Sequence, residues 1–312
     1  MSLVSRTDAE ALIPEEVAQQ IIDLVPQQSA ALRLFNSVSM SRKQQRLPVL
    51  AALPTASFVN GDTGLKPVTN MSWANKFLEA EPVAAIVAIP EDVLDDSAFD
   101  IFAQVKTKTA EAIGRALDAA IFFGTGKPSS WPTAIVPAAV AAGNMVARGT
   151  ASKQNGGIAE DLNQLMGKVE DDGFDPSGYV ANRSVRKYLR GARDLNGQKL
   201  LETSGTANMI DAMMVEYLLR GDWPTGANAA EMITGDFTQG IIATRSDITF
   251  KVLTEASLYN PDGSLMFALP QQDMVAVRVV ARYAFQVANI LTRENPDPGT
   301  RYPFAVLRSP GA

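Results

Sequence analysis

The stretch that decides the fold runs from residue 97 to residue 123 and reads SAFDIFAQVKTKTAEAIGRALDAAIFF. Its apolar residues fall on the three- and four-residue spacing of one helix face: Phe102, Val105, Ile113 and Leu117. Polar residues, Asp118 among them, lie largely on the opposite face. We predict a single amphipathic helix over 97–123 that ends at Gly124. With a rise of 1.5 Å per residue, about 27 residues make a helix of about 40 Å.

A glycine-rich joint follows this helix, from Gly124 through Gly126 to Pro128. We interpret Gly124 and Gly126 as the helix stop and a hinge. The joint departs from a phosphate-binding loop, because that motif requires Ser or Thr where this chain has Pro128. The motif also follows a strand, whereas this joint follows a helix.

Helix and strand signals both occur after the joint, and they predict an α+β chain. Residues 158–172 and 184–190 are predicted to be helical. The β-favouring runs predict strands at 178–181, 241–243, 248–253, 274–280 and 284–288. The stretch 260–263, Asn-Pro-Asp-Gly, is predicted to be a turn.

Before the helix, residues 46–82 are predicted to form a long hairpin without a core of its own. Turn residues crowd its centre, and its four prolines favour a position at a sheet edge over one inside a sheet. A hairpin alone cannot bury all of its large apolar side chains. We therefore expect these side chains to contact a neighbouring copy of the chain: Phe58, Trp73, Phe77 and Leu78.

Two further segments complete the upstream part of the chain. Residues 83–89 are apolar at both alternating positions, which predicts a strand that is buried on both faces. Residues 14–25 predict a short helix, and a second apolar stretch covers 31–35. These N-terminal segments are too short to hold a core, and we expect them to dock on another surface, such as that of a second copy.

The composition excludes several classes of enzyme site. The 312 residues contain no histidine and no cysteine, which rules out serine–histidine triads, cysteine–histidine dyads, disulfides and thiolate or imidazole metal sites. Carboxylate pairs such as Asp171 and Asp172 remain, but they lie at predicted helix ends and turns. We expect no cofactor and no metal.

Charge and hydropathy constrain the partners. The net charge of −6, from 28 basic and 34 acidic residues, is dispersed along the chain and disfavours strong nucleic-acid binding through a basic face. The longest clean apolar run is 83–89, whereas a helix needs about 20 residues to span a bilayer. We expect a soluble protein without a membrane partner.

The order of these pieces resembles the major capsid proteins of tailed double-stranded DNA phages, the Hong Kong 97-type shell fold. The stretches that carry the resemblance are the arm at 12–35, the loop at 46–82, the helix at 97–123, the joint at 123–128, Gly235-Asp236-Phe237 with Ile241-Ile242, and the strands at 272–285. The resemblance implies the following parts: an N-terminal arm at 1–45, an extended loop at 46–82, a peripheral domain at 83–140 with its spine helix at 97–123, an axial domain at 141–253 and a return to the peripheral domain at 254–312.

The resemblance also implies the partners. Copies are expected to form hexameric and pentameric capsomers of an icosahedral shell, assembled in the host cytoplasm and part of the virion. The shell is expected to contact packaged DNA non-specifically and to work with a portal. Many family members begin with a cleaved scaffolding segment, whereas this chain reaches its loop within about 50 residues, so a separate scaffolding protein is expected unless assembly needs none.

Some members of that family cross-link their shells through a Lys–Asn bond promoted by a Glu. Lys66 lies where the resemblance would require such a lysine, at the turn-rich end of the loop. Asn260 and Asn289 are both open as partners, because no motif selects either. Two alternatives to the phage shell remain: an encapsulin-type compartment shell of the same fold, and a carboxylate-dependent hydrolase, whose signature would be a cleft of clustered acids.

Overall fold

The structure is a computed structural model that describes residues 29–59, 66, 68–96, 101–193, 196–198, 209–210, 213–218, 223–260 and 262–311. Its helices are Ala30–Leu34 (α1), Glu91–Asp96 (α2), Ile101–Asp118 (α3), Ile135–Ala142 (α4), Ile158–Asp171 (α5) and Arg186–Gly191 (α6). Its strands are Asn36–Ser39 (β1), Gln44–Ala52 (β2), Ser72–Glu79 (β3), Glu81–Pro90 (β4), Met145–Ala147 (β5), Gly178–Asn182 (β6), Met209–Ile210 (β7), Met213–Leu218 (β8), Ala230–Gly235 (β9), Gly240–Leu253 (β10), Ser257–Tyr259 (β11), Leu265–Ala268 (β12), Met274–Val287 (β13) and Phe304–Arg308 (β14).

The described strands form four sheets. The largest has six strands in the order β5-β14-β9-β6-β8-β7, and a second has four in the order β1-β10-β13-β4. Two separate antiparallel pairs, β2-β3 and β11-β12, complete the set. The chain forms two compact units: the larger contains Gln27–Ala85, Thr109–Lys251 and Arg278–Ala312, and the smaller includes Ile86–Lys108 and Val252–Val277.

The long helix is present from residue 101 onward, and residues 97–100 lie outside the described part. After α3 the helix continues as one π-helical segment over Ala119–Phe123 and ends at Gly124, whose φ of 82° is left-handed. Ile113 and Leu117 are buried, whereas Phe102 and Val105 are only half-buried. The apolar face is therefore fully covered only toward the C-terminal end of the helix.

The six-stranded sheet carries a core of its own. Helix α5 packs on β14, β5 and β9, and its buried Leu162, Leu165 and Val169 join a cluster with residues of the sheet. The predicted helices at 158–172 and 184–190 and the strand at 178–181 are confirmed by α5, α6 and β6.

The C-terminal strand β14 belongs to this six-stranded sheet. It lies between β5, with which it is parallel, and β9, with which it is antiparallel. The whole segment 254–312 was predicted to return to the peripheral domain. The structure divides this segment between two sheets, since β13 lies in the four-stranded sheet and β14 in the six-stranded sheet. A pairing between residues so far apart in sequence leaves no local signal in either segment.

The four-stranded sheet differs from the prediction in two ways. β10 and β13 are each a single strand of 14 residues where two shorter strands were predicted. Burial of 83–89 on both faces was wrong: β4 is an edge strand whose exposure alternates, and Ile86 is 48% exposed. The predicted turn at 260–263 is confirmed, but it joins the short strands β11 and β12, which the sequence did not indicate.

The stretch 29–39 docks on another surface, as expected, and this surface belongs to its own subunit. Phe35 is buried, and its ring lies within 6.0 Å, centroid to centroid, of four other rings: Phe122, Phe237, Phe285 and Phe304. β1 then pairs in parallel with β10, with Asn36 opposite Ile241. The helix predicted at 14–25 lies outside the described residues.

Asp118 holds this stretch to the long helix. Its carboxylate accepts hydrogen bonds from the Ser29 hydroxyl at 2.6 Å and from the backbone N–H groups of Ala30 and Ala31 at 2.9 and 3.0 Å. The carboxylate thereby satisfies N–H groups of α1 that have no partner within that helix. Placing Asp118 on a polar outer face was therefore wrong, because it is buried.

Candidate assembly surface

The extended hairpin is a two-stranded ladder of β2 and β3. Its register runs from Gln44 opposite Glu79 to Ala52 opposite Ser72, with Pro48 opposite Asn75. Proline is accommodated in β2 because neither strand lies inside a larger sheet. The hairpin therefore has two faces and two outer edges. The rest of the described chain packs against only part of these surfaces.

Large apolar side chains are exposed along this hairpin and the segment that joins its strands. Phe58 and Val68 are almost entirely exposed, and Met71 is 45% exposed. On β3, Trp73 is 61% exposed and Phe77 is 49% exposed. Folded chains rarely leave so many large apolar groups of one segment in water unless these groups form an interaction surface. We call Phe58, Val68, Met71, Trp73 and Phe77 the hairpin patch.

The base of the hairpin is part of the core of the subunit. Leu78 is 1% exposed and packs with Met40, Ala80, Ala243 and Ala284. Leu78 was predicted to contact a neighbouring copy, and this placement was wrong. Successive side chains of a strand point to opposite faces, so Phe77 faces outward while Leu78 faces the core.

Hydrogen bonds also attach the base of the hairpin. The Gln286 side chain donates to the Phe77 carbonyl at 3.0 Å, and the Trp131 indole donates to the Glu79 carbonyl at 3.1 Å. Lys43, from the basic stretch at 41–46, lies 3.4 Å from the Glu79 carboxylate. The hairpin is thus fixed at one end, while its apolar side chains further along remain exposed.

Sequence reasoning named Phe58, Trp73 and Phe77 but missed Val68 and Met71, although both lie in the same turn-rich stretch. The only feature of the sequence that indicated them is that they are apolar residues among turn residues, which are normally exposed to solvent. Lys66 is exposed in the same segment.

The remaining predicted site residues are not gathered on the hairpin. Gly124 and Gly126 both have left-handed φ angles, 82° and 65°, which other residues adopt only with strain. The Asn260 amide donates to the Ser264 hydroxyl at 3.0 Å, and the Asn289 amide donates to the Arg301 carbonyl at 3.0 Å.

The groups considered for other chemistry have structural partners. The Lys127 ammonium donates to the carbonyls of Pro128 and Trp131 at 3.1 and 2.9 Å. The buried Asp172 carboxylate accepts from Asn144 at 2.7 Å and from Asn295 at 2.6 Å. Within the described ranges, no group of three or more acidic side chains is placed to hold a metal ion, and no helix there has the length and apolarity needed to cross a bilayer.

Comparison with protein families matches residues 9–290 to the model of the phage capsid family. The chain belongs to this family. The major capsid protein of Staphylococcus phage 80alpha is 23% identical over 283 residues, which is 90% of this chain and 83% of that protein.

Solved structures agree with this assignment. A chain from Microbacterium phage Oxtober96 is 36% identical with a TM-score of 0.85, over 99% of this chain and 100% of that one. A chain from Mycobacterium phage Cain is 31% identical with a TM-score of 0.84, over 99% of both chains. The predicted α+β Hong Kong 97-like capsid fold and the structural role in a phage capsid are confirmed, and the encapsulin alternative is not favoured.

Proposed function

We propose that this phage capsid family member is the major subunit of an icosahedral shell around double-stranded DNA, built from hexamers and pentamers in which the hairpin patch of each copy covers its neighbour. The observation that carries the proposal is the contrast between the two ends of the hairpin. Its base is buried through Leu78, and its outer part exposes Phe58 and Trp73, while Phe77 at the base faces outward beside Leu78.

This contrast suits a repeated contact between copies. The two-stranded hairpin lacks the layers needed to bury its own apolar groups, and a partner surface would bury them. Burial of one large apolar side chain is worth about 1.5–3 kcal/mol. In a closed symmetric assembly each contact recurs in every copy, so many modest interfaces together would stabilise the shell.

The domain assignment is part of the proposal. The arm covers 1–45, the loop 46–82, the peripheral domain 83–140 together with β13, and the axial domain 141–253 together with β14. Gly124 and Gly126 serve as a hinge between the spine helix and the part that follows. Cross-linking would join the Lys66 side-chain nitrogen to the side-chain carbonyl carbon of an asparagine and release the asparagine nitrogen as ammonia, with Asn260 and Asn289 both open as partners.

The proposal extends to partners and location. A separate scaffolding protein and a portal would act with the shell, which would be assembled in the host cytoplasm. Contact with packaged DNA would be non-specific, in keeping with the net charge of −6. The subunit would act as a structural protein without catalysis, cofactor or membrane partner.

Deletion of residues 56–71, closed with a Gly-Ser linker, tests the role of the loop. The deletion leaves the paired residues of β2 and β3 in place, so the subunit should unfold at nearly the urea concentration of the parent while shells fail to form. In a companion variant, serine replaces Phe58, Val68 and Met71 within the full-length loop. Failure of assembly in both variants would assign the effect to apolar contact, whereas normal shells from both would refute the proposed contact.

A further inference from the structure

A cavity of about 300 Å³ lies beside the base of the hairpin, and its charged lining is entirely basic. The polar residues of the lining come from β3, β13, the stretch before α4 and the segments on either side of residue 300: Lys76, Thr133, Gln286, Asn289, Arg301 and Tyr302. Two cations therefore face one cavity whose lining contains no carboxylate. Burial of charge without an opposite charge is costly, and this cost calls for a counter-charge.

Arg301 is one of the two cations and is only 4% exposed. Its Nε donates to the Asn289 side-chain oxygen at 3.3 Å, and its Nη1 donates to the Asn295 carbonyl at 2.8 Å. Both acceptors are neutral, and among the described residues no carboxylate forms an ion pair with it. Asp172 and Asp297 act on its charge only at longer range. The guanidinium therefore retains donors that an anion could use.

Lys76 is the second cation and comes from β3. Its ammonium donates one hydrogen bond, to the Val287 carbonyl at 2.8 Å. A protonated lysine has three N–H donors, and the described residues provide no acceptor for the other two. Burial, and secondarily the charge of Arg301, lower the pKa of Lys76 to about 8. The lysine is still mostly charged at pH 7.

Tyr302 is also a lining residue of the cavity. Its hydroxyl is buried and has no hydrogen-bond partner in the described part of the chain, and burial raises its pKa above the ordinary value. A buried hydroxyl that remains a donor and lacks an acceptor is uncommon in folded proteins. Lys76 and Arg301 thus line one cavity with unused donors, and the unsatisfied Tyr302 hydroxyl belongs to a third lining residue.

We propose that this cavity is a binding site for a small tetrahedral oxyanion of the phosphate and sulfate class. Such an anion offers several acceptor oxygens and neutralises both Lys76 and Arg301. Because Lys76 belongs to β3 and Arg301 to the segment before β14, a bound anion would link the base of the hairpin to the C-terminal region. The site lies within a single subunit and does not depend on shell formation.

Thermal unfolding of the full-length chain in sodium phosphate, compared with sodium chloride at equal ionic strength, tests the site. Phosphate should raise the midpoint in a saturable manner, because a ligand that binds only the folded state stabilises it. Lys76→Met should weaken the apparent affinity tenfold or more, and Lys76→Arg should largely retain it. Lys168→Met, which removes an exposed lysine from α5, is the matched control and should leave the affinity unchanged.

Linked protonation provides a second readout. An anion beside Lys76 restores the pKa of the lysine toward its ordinary value, so sulfate binding at pH 8.5 should take up protons from the buffer. Calorimetry in two buffers of different ionisation enthalpy measures this uptake, and Lys76→Met should abolish it. Absence of saturable stabilisation by phosphate, or equal phosphate affinity in the parent and Lys76→Met, would overturn the proposal.

Discussion

The adjacent residues Phe77 and Leu78 allow a matched test, because they differ in burial and not in position along the hairpin. Leu78 is 1% exposed, and three of its neighbours in the cluster are alanines, which are too small to fill a space left behind. Leu78→Ala should therefore fall in the upper half of the range of about 2–5 kcal/mol for buried leucines. Phe77 is 49% exposed, and Phe77→Ala should cost the isolated subunit about 1 kcal/mol or less.

Urea unfolding of dissociated subunits, followed by tryptophan fluorescence, measures both costs, since Trp131 and Trp223 are buried and report on unfolding. Sedimentation then measures assembly at equal concentrations of folded protein. Phe77→Ala should lower assembly strongly, because about 1–2 kcal/mol lost per contact weakens each contact by roughly five- to thirty-fold. Leu78→Ala should assemble once folded. The reasoning fails if Phe77→Ala destabilises the subunit as much as Leu78→Ala does and leaves assembly intact.

Three further substitutions test separate parts of the account. Asp118→Ala should cost about 3–5 kcal/mol in urea unfolding, because it leaves the Ser29 hydroxyl and two backbone N–H groups buried without an acceptor; a loss below about 1 kcal/mol would contradict this. Ile113→Asp should cost several kcal/mol by placing a charge on the buried helix face, and an unchanged melting temperature would show that the face is misassigned. Lys76 has a folded-state pKa of about 8 against an ordinary 10.5, so its charged form is disfavoured in the fold. As the pH rises from 8 to 10, the free energy of unfolding of the parent should therefore increase by about 1 kcal/mol relative to that of Lys76→Met, a value discounted for partial exposure. A constant difference between the two proteins across that range would refute the lowered pKa of Lys76.

Local patterns were sufficient for much of the fold. The three- and four-residue spacing predicted the long helix, and Gly124 predicted its end, because both signals lie within the helix itself. Prolines and turn residues predicted a hairpin outside any larger sheet. The order of these elements then indicated the capsid fold, which the comparisons confirm.

What could not be predicted depends on contacts between distant residues. Strand alternation separates Phe77 from Leu78, but only Met40, Ala243 and Ala284 determine which of the two faces the core. Likewise, Asp118 has the spacing of a solvent-facing residue, and its partner Ser29 lies 89 positions away.

The cavity beside Lys76 had no local signal either. Lys76 and Arg301 come from separate segments, and neither segment resembles an anion-binding motif. Only the three-dimensional structure brings the two cations to one cavity.

The central claim is that copies of this chain form a closed shell. Sedimentation velocity and negative-stain electron microscopy of the purified full-length protein, over a range of concentration, salt and crowding agent, test it most directly. The account predicts ring-shaped capsomers and closed isometric shells that increase with concentration and are lost when residues 56–71 are deleted. A single species of 33.4 kDa under every condition would contradict it.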